Sequence, residues 1–212
     1  MAIRQRAIQA EDKHERREAI LDAAAALLLR SPERIASMAD VADEAGLAKG
    51  TVYLYFPSKE ELLLAVHERN IDGFFRALIA RLASDEPVAI RDVLVLTHQH
   101  IVDPPLFLPL AARCFGMMAQ SVPPEAGLAF KQRMGERLMK AGAGLERHFR
   151  ELAPGQGLAL LRHSYALIIG LWQMSASSAQ CEAPPIFNFS YRDELDRALV
   201  ALWNGTVNGG TQ

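Results

Sequence analysis

Cysteine is nearly absent from this chain. Its 212 residues hold two, Cys114 and Cys181, far apart and neither in a CxxC pair. Structural zinc and a disulfide framework are therefore not expected, and unpaired thiols suit a reducing cytosol. An excess of one charge is missing too: the net charge is −2 and the pI is about 6.3. That speaks against a surface that wraps long stretches of nucleic acid, though not against a local contact. No run shows strand alternation, no segment repeats and no block is of low complexity. No glycine loop suited to phosphate appears, no Ser/His/Asp or Cys/His arrangement and no Glu-x-x-His pair. His98 and His100 form an HxH on a helix, but they point roughly 200° apart and cannot share a metal. Neither an enzyme nor a metal or cofactor is expected. The first eighteen residues lack an apolar core segment, so no signal peptide is expected.

What the chain does hold is apolar helix. Half of its residues are hydrophobic and mean hydropathy is +0.03. That composition can build a sizeable core in one large or two small domains. The organising stretch is 37–63. Met38, Val41 and Ala42 fall on one side of a short helix over 38–45. Ser37 stands before it as N-cap, with Asp40 three residues on. Gly46 stops it, Leu47 follows as an apolar plug, and a second short helix runs over 48–56 to Pro57. Two short helices joined by a tight turn containing glycine form a helix-turn-helix, whose second helix enters a major groove.

Side chains advance by roughly 100° per residue around a helix. Val52 and Phe56 therefore share a face with Leu47 near it, and that face should pack on Val41 and Ala42. Gly50 and Leu54 come on the opposite side, flanked by Thr51 and Tyr53, with Lys49 and Tyr55 on the borders. Such a face suits DNA. Bare backbone at Gly50 permits close approach, Thr51 and Tyr53 can donate to phosphates, and Leu54 can touch a thymine methyl. A small helical hairpin with no nucleic-acid role remains the competing reading.

Gly46-Leu47, then Lys49-Gly50-Thr51-Val52-Tyr53-Leu54-Tyr55-Phe56, then Ser58-Lys59-Glu60-Glu61-Leu62 resembles the DNA-binding signature of the TetR family of bacterial transcription regulators. The run Arg17-Glu18-Ala19-Ile20-Leu21-Asp22-Ala23-Ala24 is similar to that family's first helix. The resemblance covers about 14–66, while the rest matches in length and helical character alone. Carried over by position, it implies DNA contacts from Ser37, Lys49, Gly50, Thr51, Tyr53, Tyr55 and Lys59. Gly50 and Leu54 fall at variable recognition positions, which bear on which operator is read.

Taken in order, 1–13 is expected to be a loose polar arm, from which Arg4 and Arg6 could reach a minor groove. Helix one is expected over 14–29, with Ile20, Ala23, Ala24, Leu27 and Leu28 as its stripe. Ser58 to Glu61 reads as a capping box opening a helix of about 25 residues to Ala83, roughly 37 Å long. Leu63, Val66, Ile71, Phe75, Leu78 and Leu82 give its buried stripe, and Gly73 lies midway. Further helices are expected over 88–103, 106–121, 125–152, 158–180 and 191–203, separated by proline and glycine. The stretch 158–174 is apolar nearly all round. It is short for a membrane span and carries Arg162 and His163, so no membrane partner is expected. The tail from Asn204 is expected to fray.

The expected fold is all-α with about nine helices. A helix-turn-helix three-helix domain over 1–57 precedes a helical ligand-binding and dimerisation bundle over 58–212. The resemblance implies a cytoplasmic repressor that binds a palindromic double-stranded DNA operator as a homodimer and is released by a small effector. Candidate effector contacts are Phe74, Phe75, Arg113, Met117, Met118, Met134, Tyr165, Trp172 and Gln173. Paired methionines refit to varied shapes, although ordinary core filling is the preferred reading for either one taken singly. The helix from Leu158 and the last helix call for a partner across a two-fold axis. Ile169, Trp172, Leu195, Leu199 and Trp203 are the expected dimer contacts. A helix-turn-helix protein controlled by a protein partner, and a helical enzyme, are the other readings.

Overall fold

A computed structural model describes the backbone of residues 2–32, 34–178 and 189–208, with side chains from 11 onwards save those of 119, 177 and 178. Nine α-helices make up the described chain, with one π turn and no strand. They are α1 (Ala2–Arg30), α2 (Met38–Glu44), α3 (Lys49–Tyr55), α4 (Lys59–Ala83), α5 (Ile90–Thr97), α6 (Phe107–Gln120), α7 (Pro124–His148), α8 (Gln156–Ser178) and α9 (Tyr191–Asn208). Among the described residues no single helix is long and apolar enough to cross a membrane. Two compact units emerge: one holds 1–69 with 113–127, the other 70–112 with 128–212. The division between these units lies inside α4, whose first turns bury Leu62, Leu63, Leu64 and Val66.

In the first unit, α1 corrects one expectation. Residues 2–13 are helical and not a loose arm. The run contains no proline or glycine and is rich in Ala, Arg, Gln, Glu and Lys, which favour helix without any apolar stripe. The side chains of Arg4 and Arg6 lie outside the described ones. Ile20, Leu21, Ala23, Ala24 and Leu28 of α1 are buried. Arg69 of α4 ties the helices together, donating to Asp22 at 2.7 Å and to Glu18 at 3.2 Å. Cys114 is buried, and burial pushes its thiol up to about 12, so it stays protonated and inert. Cys181 and the Pro184-Pro185 loop lie outside the described residues.

In the second unit one continuous core gathers Ile71, Phe74, Phe75, Leu78 and Leu82 of α4 with apolar residues of α5 to α9. The helix expected over 88–103 is α-helical to Thr97 and then widens into a π turn, His98–Val102. The α7–α8 crossing is closed by two glycines. A Cβ on Gly157 would lie 2.3 Å from the Gly142 carbonyl oxygen, and one on Gly142 would lie 2.7 Å from the Leu158 nitrogen. The tail expected to fray from Asn204 continues as helix to Asn208.

Helix α9 buries one face within the chain itself. Leu195, Leu199, Trp203 and Val207 recur every four residues and are all buried within this one chain. The Trp203 indole N–H donates to Ser164 Oγ at 2.9 Å, and Ser164 Oγ donates in turn to the Leu160 carbonyl at 2.8 Å. Ile169 is buried in the same core and Trp172 packs half-buried against it. Within the single subunit Ile169, Leu195, Leu199 and Trp203 are thus buried, and of the five expected dimer contacts Trp172 alone keeps part of its surface open.

Candidate nucleic-acid interface

Helix α2 is started by a complete capping box. Ser37 is extended at φ −74°, ψ 162°, and its Oγ accepts from the Asp40 N–H at 3.2 Å. The Asp40 carboxylate accepts from the Ser37 N–H at 2.9 Å. These bonds hold the Asp40 carboxyl below the usual carboxylate range, with Arg34 adding to the effect. Gly46 then turns the chain at φ +65°, where a Cβ would be strained. The Leu47 N–H returns to the Ala42 carbonyl at 2.9 Å and fixes the turn. Helix α3 follows and ends at Phe56, ahead of Pro57.

Burial divides α3 by face. Val52 and Phe56 are buried, as are Met38, Val41 and Ala42 of α2, and Leu47 is half-buried. The Arg17 guanidinium of α1 lies 5.3 Å over the Phe56 ring and braces this junction. The opposite side presents Lys49, Gly50, Tyr53 and Leu54 to solvent, with Thr51 and Tyr55 half-buried at its edges. Leu54 is 84% exposed and Tyr53 43%. The Lys49 ammonium sits 5.9 Å from the centre of the Tyr53 ring, so the cation and the aromatic ring form one projecting group.

Helix α4 opens beside Lys59, whose Nζ is exposed and 3.8 Å from Glu60. The expected capping box is only half made. Ser58 Oγ accepts from the Glu61 N–H at 3.2 Å, but it is the Ser58 hydroxyl that meets the Glu61 carboxylate, also at 3.2 Å. Eight candidate residues, Ser37, Lys49, Gly50, Thr51, Tyr53, Leu54, Tyr55 and Lys59, thus lie in the α2–α3–α4 segment. Ser37 serves as a cap, and Lys49, Gly50, Tyr53, Leu54 and Lys59 are exposed.

The nine candidate effector contacts do not form one group. Phe74 and Phe75 are buried, edge to face at 5.5 Å between centroids, and Met134, Tyr165 and Trp172 pack against the same core. Gln173 is exposed. Arg113, Met117 and Met118 belong to the first unit. Arg113 there donates to the Pro32 carbonyl at 2.7 Å, which gives it a structural task. Three features went unread in the sequence. His67 is buried on α4. His98 donates from Nε2 to Asp196 at 2.6 Å. The third is the Gly142–Gly157 contact. An isolated histidine or glycine carries no signal of its partner, so none of these was readable. Among the described residues no group of three or more His, Cys, Asp or Glu could hold a metal.

Comparison with known proteins bears on both units. Residues 20–66 match the family described as bacterial regulatory proteins, tetR family, and residues 68–207 match the tetracyclin repressor-like C-terminal domain. An uncharacterized HTH-type transcriptional regulator of Bacillus subtilis, YfiR, is 38% identical over 68 residues, 32% of this chain and 33% of that protein. The HTH-type transcriptional repressor KstR of Mycobacterium tuberculosis is 43% identical over 60 residues, 28% of this chain and 27% of that protein. The match spans about a third or less of these curated relatives. A TetR-family regulator from Mesorhizobium loti superposes with a TM-score of 0.60 at 18% identity, covering 93% of this chain and 95% of that one. At that identity the likeness concerns the fold.

Proposed function

Because the chain belongs to the TetR family of bacterial transcriptional regulators, we propose that it acts as a homodimeric repressor which an effector releases from a palindromic operator. The family is one of regulators and not of enzymes, and its helix-turn-helix implies DNA binding. The observation that carries the finer reading is the division of α3. Its inner face is locked on α2, while Lys49, Gly50, Tyr53 and Leu54 point outward. In this reading Lys49, Thr51, Tyr53, Tyr55 and Lys59 position the helix on phosphates, and Gly50 and Leu54 face the bases. Ser37 offers the start of α2 to the backbone.

The second unit supplies dimerisation and the effector site. Dimerisation uses the outward faces of α8 and α9, where Ala166, Gln173, Met174, Val200, Ala201 and Asn204 are exposed. These replace the buried residues that the sequence suggested. The effector acts beside Phe74 and Phe75 on α4, a single helix that runs from Lys59 to Ala83. A ligand favouring one position of these rings shifts the other end of the same helix. The dimer then moves toward a spacing that no longer fits adjacent grooves. Coupling of 1–3 kcal/mol would lower operator affinity by roughly 5–150-fold.

The test begins by selecting sites from a random duplex pool. The enriched sites should be palindromes with half-sites about one helical turn apart. On such a site Tyr53→Ala should bind more weakly at fixed salt. Lys59→Ala should weaken binding to all sequences and reduce the salt slope by about one. A Tyr53→Ala variant that binds as tightly as the parent would show that this face is not the reading face. Deleting the protein should raise transcription from the promoter that carries the site, whereas a fall would make it an activator.

A further inference from the structure

Two residues on the outward face of α3 are unexplained by the fold. Leu54 is 84% exposed, the highest value among the exposed large hydrophobic side chains of the described residues. Gly50 precedes it by one turn on the same side. Glycine weakens a helix interior relative to alanine, so a structural reason for it is expected. None is present. Positive φ occurs at Gly46 and Gly155 and not at Gly50, and a Cβ built on Gly50 would meet nothing within 4 Å. The folded chain would accept alanine at 50 and alanine at 54 without loss. An apolar knob and a bare stretch of backbone therefore stand side by side where the surface is proposed to meet DNA.

We propose that Leu54 is the specificity-determining residue for a thymine, read through its 5-methyl group, and that bare Gly50 lets α3 seat deeply enough to make that contact. The proposal rests on the DNA-binding reading above. In the major groove every base edge carries hydrogen-bond donors or acceptors, and thymine alone adds an apolar group. A leucine can gain nothing from the amino group of cytosine or adenine. Pressed against either, it would strip water from a donor and return no bond. Leu54 thus favours the methyl and also rejects the alternatives. Any side chain at 50 would stand between the backbone and the base edges, lifting the next turn and drawing Leu54 off its target. Tyr53, with Lys49 beside its ring, grips the backbone to one side and sets the register.

The experiment uses the full chain and the site enriched from a random duplex pool. Each thymine is replaced in turn by deoxyuridine, which removes the methyl and nothing else. At one position per half-site the parent protein should bind the uracil duplex about fourfold more weakly, the worth of one buried carbon. Leu54→Ala should bind the thymine and uracil duplexes equally while melting at the parent temperature. Gly50→Ala should melt higher than the parent yet bind the thymine duplex more weakly, so that the two assays move in opposite directions. The proposal is overturned if no uracil substitution matters to the parent protein, or if Leu54→Ala keeps the same preference for thymine. A Gly50→Ala variant that binds as tightly as the parent overturns the seating role. Failure of the parent protein to enrich any duplex would overturn the DNA-binding reading and this one with it.

Discussion

Adding one methyl group at Gly157 should cost more stability than almost any other alanine substitution in this chain. Its Cβ would lie 2.3 Å from the Gly142 carbonyl oxygen and 3.0 and 3.1 Å from the Gly142 C and Cα. Carbon and oxygen in favourable contact stand about 3.3 Å apart, so α7 and α8 must separate by roughly 1 Å. The opposing atoms are backbone, and no flexible end can yield. A gap of that size forfeits a quarter to a half of each contact along the crossing, and overpacking typically costs 1–3 kcal/mol. The upper end, about 3 kcal/mol, is expected here. Gly135→Ala on α7 is the control. Nothing lies within 4 Å of its Cβ, so helix propensity alone should apply and stabilise by about 0.8 kcal/mol. Urea melts followed by circular dichroism at one protein concentration measure both. With a slope of about 2 kcal/mol/M, Gly157→Ala should lower the midpoint by about 1.5 M and Gly135→Ala should raise it slightly. If Gly157→Ala melts within about 0.5 kcal/mol of the parent, the close crossing is wrong.

Two further outcomes follow from buried groups. Burial pushes the His67 imidazole down from 6.5 to about 4. Between those values the unfolded chain binds a proton that the folded chain refuses. The stability from neutral His67 is therefore complete above pH 6.5 and falls, by something on the order of 3 kcal/mol, as pH drops toward 4. His67→Gln should flatten that part of a stability–pH curve. Trp203→Phe should destabilise by about 1–2 kcal/mol through loss of the Ser164 bond and some volume, whereas Val200→Asp on the exposed side of α9 should leave the fold intact and yield monomers in light scattering. Equal effects of the two on assembly, with none on unfolding, would return Trp203 to the interface.

What the sequence revealed and what it hid differ by a physical rule. Local signals were legible. Ser37, Gly46 and Pro57 bounded α2 and α3, and the stripe from Leu63 to Leu82 named the inner side of α4 before any partner was known. Periodicity says which side of a helix is buried, but not what buries it. The stripe Leu195, Leu199, Trp203 was read as covered, and within this one chain it is already buried, with Trp203 bonded to Ser164 of α8. Residues 2–13 failed for the converse reason: a helix without an apolar stripe gives no periodic signal. Gly142 and Gly157 gave no signal of each other, because close backbone approach is visible only when both are placed. Arg113, Met117 and Met118 looked like pocket residues by type, but the second half of α6 belongs to the first unit.

The π turn after α5 shows how such a hidden feature reaches the surface that a partner would meet. Residues five apart on an α-helix point about 140° away from each other. Widening the turn so that the Asp103 N–H bonds to the His98 carbonyl, at 2.9 Å, brings the two positions back toward one line. Both then reach α9. His98 meets Asp196 at 2.6 Å, and Asp103 meets Arg192 at 2.7 Å. Arg192 and Asp196 are one α-helical turn apart, so a π turn is matched against an α turn. The partners run in opposite order on the two elements, so a slip of either helix would break both contacts. Asp103, Arg192 and Asp196 are each about half exposed, which limits each pair to roughly 0.2–1 kcal/mol. Their larger effect is on register. Leu195, Leu199 and Trp203 fix the inward side of α9, the two polar contacts fix its rotation and height, and Val200 and Ala201 are left facing out. The surface proposed for a second subunit is in this way set by contacts that never touch it.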